Sequence, residues 1–163
     1  SGAISDGTAS VAFTSKMDAS KYDHYDFYFQ HLIPVSDNVS FLARTSTNNG
    51  TAYSATDGDY HIAAASDRTG FRICEVTVGS DTDEYGVSGK FSLLSPHTTS
   101  AFTYGRTFVV RMTTSGGIDV GGPSNEGVGV RLAAEDVDAI QFLFTSGNIE
   151  SGEIVMYGIA NGS

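Results

Sequence analysis

The segment from Tyr22 to Leu32 alternates its side chains with a period of two. Tyr25, Phe27 and Phe29 fall on one side, and His24, Asp26, Tyr28 and Gln30 on the other. Successive side chains of a strand point to opposite faces, so this pattern predicts a long, half-buried β-strand; a helical period would scatter the three aromatics. Pro34 lacks the ladder donor and ends it, and Val35 to Asn38 then make a turn.

The rest of the chain repeats that reading at shorter length. Strands are expected at Ser10 to Thr14, Val39 to Arg44, Asp59 to Ala63, Phe71 to Val78, Tyr85 to Leu94, Ala101 to Thr113, Val128 to Leu132, Ala139 to Thr145 and Gly152 to Ile159. The Ala101 strand carries Phe102, Tyr104, Phe108, Val110 and Met112 in phase. Asn48-Asn49-Gly50 supplies residues that tolerate positive φ between strand-like flanks, the mark of a hairpin turn. Ala133 to Asp138 has room for one helical turn at most, and Gly147-Asn148 turns the chain into its last strand. About ten strands at near-regular spacing, with no helical period between them, predict an all-β, antiparallel β-sandwich of jelly-roll-like form.

Composition supports the class. Charged residues make up only 17% of the chain, below the average of about 25%, and Ser, Thr, Gly and Asn fill the gap. Those residues disfavour helix interiors and suit strands and turns. At 163 residues the chain fits a single β-sandwich domain over 1–163, able to bury roughly 70% of its unfolded surface. The opening Ser1-Gly2-Ala3 reads as a cloning scar or an interior cut, so the domain can be a fragment of a longer parent.

The net charge of −10, with nine Lys and Arg spread singly, offers no basic stripe for phosphates and argues against nucleic acid as a partner. No apolar run approaches the roughly 20 residues that span a bilayer, so membrane insertion is not expected. Cys74 is alone, which leaves no intrachain disulfide, and it alternates with Val76 and Val78 as a buried structural thiol would.

Chemistry is sparsely signalled. The G-x-S-x-G nucleophile signature is absent, since Gly122-Pro123-Ser124-Asn125-Glu126 does not match it. His24 and His31, an odd number apart, point to opposite faces of one strand and cannot share a metal there without a bulge, and His61 and His97 stand alone, so a zinc site is poorly supported. Asp57-Gly58-Asp59 and Asp81-Thr82-Asp83-Glu84 are oxygen-rich loops of the kind calcium uses, yet neither follows a complete calcium-loop pattern and both read as solvated turns. Glu135, Asp136 and Asp138 could pair for glycoside hydrolysis, but nothing in the sequence sets their separation. The N-x-[ST] triplets at Asn38, Asn49 and Asn161 matter only in a secretory pathway. The expectation is a non-enzymatic chain with no cofactor, calcium being the one cation its loops could take.

Two features point to binding instead. Tyr22 and Tyr28 fall with His24 and Asp26 on the polar side of the long strand, and tyrosine joins stacking area to a hydrogen-bonding tip, a combination that sugars and protein partners both exploit. The Gly-rich stretch Ser115 to Gly129, with Pro123 and Asn125, reads as a long exposed loop for contact work. The candidate ligand-binding residues are Tyr22, His24, Tyr28, Ser124 and Asn125.

The stretch Phe13 to Arg44, with Tyr22-Asp23-His24-Tyr25, Phe29-Gln30-His31-Leu32-Ile33-Pro34 and Phe41-Leu42-Ala43-Arg44, resembles the start of a β-sandwich module of tailed-bacteriophage virion proteins. Ser46 to Tyr53 followed by Asp59-Tyr60 resembles that module's hairpin. Ala139-Ile140-Gln141-Phe142 through Ser146-Gly147-Asn148-Ile149 to Tyr157-Gly158-Ile159 resembles its closing pair. The resemblance covers both ends and leaves about residues 65 to 135 unassigned. It implies a virion structural protein assembled in the bacterial host cytoplasm, commonly a homotrimer that contacts other virion proteins. The role it implies is a tail-fibre or tail-tip domain binding a host cell-surface glycan or protein through loops at one end of the sandwich. Capsid decoration is the alternative, and a carbohydrate-binding module of a secreted bacterial protein the second. None of the quoted motifs is catalytic.

Overall fold

The computed structural model describes residues 3–4, 7–62, 68–81, 85–112, 118–120 and 127–160, with the side chains of 3, 75–77 and 118–120 left aside. Among the described residues there are twelve strands and no helix: β1 (Ala3–Ile4), β2 (Val11–Phe13), β3 (His24–Pro34), β4 (Val39–Ser46), β5 (Tyr60–Ile62), β6 (Phe71–Val78), β7 (Val87–Leu94), β8 (Tyr104–Met112), β9 (Ile118–Val120), β10 (Val128–Arg131), β11 (Ala139–Phe144) and β12 (Ile149–Ile159). The protein is an all-β antiparallel sandwich. The large sheet runs β1-β12-β3-β7-β8-β10-β5, with β9 also on β8, and the small one β2-β11-β4-β6. The chain changes sheet at nearly every connection outside β7 to β10, which gives the jelly-roll-like wrap.

The core lies between the sheets and is aromatic. Phe27, Phe29 and Phe91 of the large sheet meet Phe41 and Phe142 of the small one, and Phe142 is the hub, with five rings at centroid distances of 4.9 to 6.1 Å. Tyr25, Phe27 and Phe29 are all buried, as the alternation of β3 requires. Cys74 is buried too.

Phe71 of β6 shows how the sheets come close. Gly105 and Gly129 face each other in the β8–β10 register, and a Cβ on either would stand 2.7 Å from the Phe71 ring. Only a glycine pair leaves space for that ring. The inward side of β8 is therefore Gly105, Thr107, Val109 and Arg111, and its apolar stripe of Tyr104, Phe108 and Val110 turns outward.

Three local expectations change. Asn49 and Gly50 do turn the chain, at φ of 56° and 81°, and Ser46 Oγ accepts the N–H groups of Asn48 and Gly50. No hairpin forms there, because both edges of β4 are taken by β11 and β6, so β5 crosses to the far edge of the large sheet. The last two strands form but do not pair with each other: β11 lies between β2 and β4, and β12 between β1 and β3. Within the long stretch 115–129, Ile118–Val120 is a strand on β8 rather than loop, and β10 begins at Val128.

Candidate functional site

Among the described residues no second layer covers the outer face of the large sheet, and its side chains line up across strands. One row in register is Val155, Tyr28, Lys90 and Phe108; the next is Tyr157, Asp26, Ser92, Arg106 and Val128; a third is Ile159, His24, Leu94, Tyr104 and Val130. Most of the exposed large apolar side chains sit here, led by Phe108 at 59%, Val128 at 58% and Tyr157 at 57% exposure. A cluster of exposed aromatics on one face marks a contact surface more than scattered ones would.

At the centre of this face is a polar device. Asp26 is only 8% exposed, and a buried carboxylate must be hydrogen-bonded. Ser92 Oγ donates to Asp26 Oδ1 at 2.6 Å, and Lys90 Nζ donates to Oδ2 at 3.1 Å. The ammonium of Lys90 also stands 5.9 Å from the centre of the Tyr28 ring, within cation–π range. Tyr28 and Tyr157 meet edge to face, 5.5 Å between centroids. Ring orientations, charge and carboxylate thus hold one another in place.

Two open hollows flank this network. One, of about 640 Å³, is lined by Asp26, Tyr28, Val155, Tyr157, Gly158 and Ile159. The other, of about 280 Å³, is lined by Lys90, Ser92, Arg106 and Phe108. They lie on either side of the network, the first over β12 and β3 and the second over β7 and β8, so the candidate groove runs across these four strands. Aromatic walls can take the apolar face of a ring-shaped ligand, while Lys90 and Arg106 offer donors for its polar edge.

Of the residues singled out in the sequence, Tyr28 lies in this groove. His24 is displaced toward the end of β3, where its Nδ1 accepts the Ser95 N–H at 3.1 Å. Tyr22 precedes the strand and does not share the face of Tyr28. Its ring packs over Gly158, which has no side chain to obstruct it, and meets Tyr25 edge to face at 6.0 Å. Tyr22 and His24 instead line a separate hollow of about 450 Å³ with Ser95, His97 and Thr98. Ser124 and Asn125 lie outside the described residues. Sequence reasoning does not single out Tyr104, Phe108 and Tyr157 for binding. For the first two a signal exists in the in-phase stripe of β8, set against a partner face of Gly, Thr and Arg.

Thr82, Asp83 and Glu84 lie outside the described residues; the other ionisable clusters singled out in the sequence are tied into the frame. His97 Nδ1 bonds Asp136 Oδ1 at 2.9 Å and its Nε2 bonds the Tyr25 hydroxyl at 3.1 Å, so both ring nitrogens are used. Burial pushes the Tyr25 phenol above its ordinary range, which keeps it a donor. Glu135 binds Arg131, and Asp138 accepts the Asn49 N–H, so the three neighbouring carboxylates have three separate tasks. Asp57 faces Arg68, and Asp59 accepts the Thr56 N–H. Among the described residues no three His, Cys, Asp or Glu side chains stand together as a metal site. Compared with known proteins, the chain matches no family model, no curated protein and no solved structure.

Proposed function

We propose that this chain is a non-catalytic recognition domain of a tailed-bacteriophage virion, tail-associated and assembled as a homotrimer, that binds a host cell-surface glycan. The observation that carries the binding is the outer face of the large sheet, where Tyr28, Tyr157 and Phe108 surround the Asp26–Ser92–Lys90 network. Stacking walls beside a fixed set of donors and acceptors suit a sugar, which has apolar ring faces and a polar rim. The virion setting is supported by the resemblance of the two ends of the chain to phage β-sandwich modules. The binding surface in this reading is the sheet face rather than the loops at one end.

Capsid decoration is the second reading, favoured by the same exposed apolar stripe of β8, which would fit a neighbouring subunit. Immunogold labelling of intact particles separates the two: label on the tail is expected, and label confined to the head overturns the attachment role. Adsorption of the purified domain to host cells, with competition against the phage, is the companion measurement. Loss of both in Tyr157→Ala is expected, and retention of full adsorption by Tyr157→Ala would sink the assignment of the face.

A further inference from the structure

Resting on that glycan reading, we infer that the ligand is anionic and that its acidic group sits on Arg106. Most of the chain's few cations are already committed. Lys21 pairs with Asp18 at 3.0 Å, Arg68 with Asp57 at 3.4 Å, Lys90 with Asp26 at 3.1 Å, and Arg131 with Glu135. Arg44 donates to Thr69 through both Nε and Nη2. Arg106, like the exposed Lys16, has no acidic partner among the described residues; unlike Lys16, it lines a hollow together with a second cation, Lys90, and with Ser92 and Phe108. In a chain of net charge −10 an acid to neutralise it would be easy to supply.

Guanidinium is a planar fork that matches a carboxylate or phosphate through two parallel hydrogen bonds, and beside an apolar wall such bonds are stronger than in open water. Lys90 next to it is half spent on Asp26, so the pair adds donors without cancelling the charge of Arg106. Tyr157, Asp26, Ser92 and Arg106 lie in one register row across four strands, which at the ordinary strand spacing is about 14 Å. That is the length of a short oligosaccharide. Its rings would lie against Tyr157 and Tyr28 at one end, its hydroxyls would meet Lys90 and Ser92, and its anion would meet Arg106 at the other. The net charge of −10 disfavours a polyanion elsewhere, so the paired cations Arg106 and Lys90 also set the register of binding.

The test is titration calorimetry of the purified domain with three probes: polygalacturonate oligosaccharides, glycerol-phosphate teichoic acid, and dextran. The variants are Arg106→Gln, Arg106→Lys and Tyr157→Ala. Arg106 is exposed, so Arg106→Gln is expected to keep the melting temperature of the parent chain. The expected result is binding of an acidic probe, weakened by added NaCl, lowered about tenfold or more by Arg106→Gln and partly kept by Arg106→Lys. Which acidic probe binds tells carboxylate from phosphate. If dextran binds as tightly as the acidic probes, or Arg106→Gln binds as the parent does, the anion inference falls and the glycan reading stands. If no probe binds and sedimentation shows self-association that Tyr157→Ala disperses, a second copy covers this face and both fall.

Discussion

Phe142 and Phe108 are the same residue type on alternating strands, and the fold assigns them opposite energetic roles. Phe142 is fully buried, with Phe27 at 4.9 Å, Phe29 at 5.3 Å and Phe13, Phe41 and Phe91 at 6.1 Å. Replacing a buried Phe by Ala costs about 3–5 kcal/mol through lost transfer and the cavity left behind. Five ring contacts, each worth roughly 0.5–1.5 kcal/mol beyond area, put Phe142→Ala near the top of that range. Against a domain stability of about 5–15 kcal/mol this removes a large share of the margin. At roughly 2–4 °C per kcal/mol, the melting temperature should fall by about 10–20 °C. Phe108, 59% exposed on the outer face, should change stability by no more than about 0.5 kcal/mol when cut to Ala. Urea unfolding of the two variants, read for midpoint at constant m-value, gives both numbers from one assay. Equal costs for the two, or a cost at Phe142 below about 1.5 kcal/mol, would show that the inward and outward faces are assigned wrongly.

Gly89 sits at φ +143° opposite Val109, and a Cβ there would stand 2.3 Å from the Phe108 carbonyl oxygen. Gly89→Ala should therefore cost about 2–4 kcal/mol from strain and overpacking together, and a near-neutral urea midpoint would disprove the close approach of β7 and β8. The buried Tyr60 hydroxyl accepts the Thr45 N–H at 2.9 Å, bonds Thr45 Oγ1 at 3.0 Å and donates to the Ser54 carbonyl at 3.2 Å. Tyr60→Phe leaves the Thr45 amide without that acceptor and should cost about 1–3 kcal/mol; faster hydrogen exchange at the Thr45 amide is the local check.

Much of the frame is legible in the chain because strand periodicity is local. The span Phe71 to Val78 of β6 is readable from its apolar residues although its phase shifts at an irregularity between Arg72 and Cys74, and the core side of β3 follows from Tyr25, Phe27 and Phe29. Asn49 and Gly50 turn the chain for the reason their residue types suggest, since both take positive φ. The path of the chain beyond that turn is set by distant strands. Whether β5 folds back on β4 depends on whether β4 has a free edge, and β6 and β11, far along the chain, occupy both. The site is half legible for the same reason. Tyr28 is placed by the phase of β3 alone, whereas Tyr22 leaves that phase because it precedes the strand and finds a bare surface over Gly158.

Residue order alone is enough to mark an antiparallel β protein with two-faced strands, and on β3 it also marks which face is core. On β8 it supplied the stripe of Tyr104, Phe108 and Val110 without its direction. Period-two alternation divides a strand into two faces and says nothing about which one the second sheet will cover. Packing between the sheets makes that choice: Phe71 needs the space over Gly105 and Gly129, so the glycine side of β8 turns inward and its aromatics go to solvent. The same packing brings Asp26, Lys90, Ser92 and Arg106, from three strands, onto one outer face.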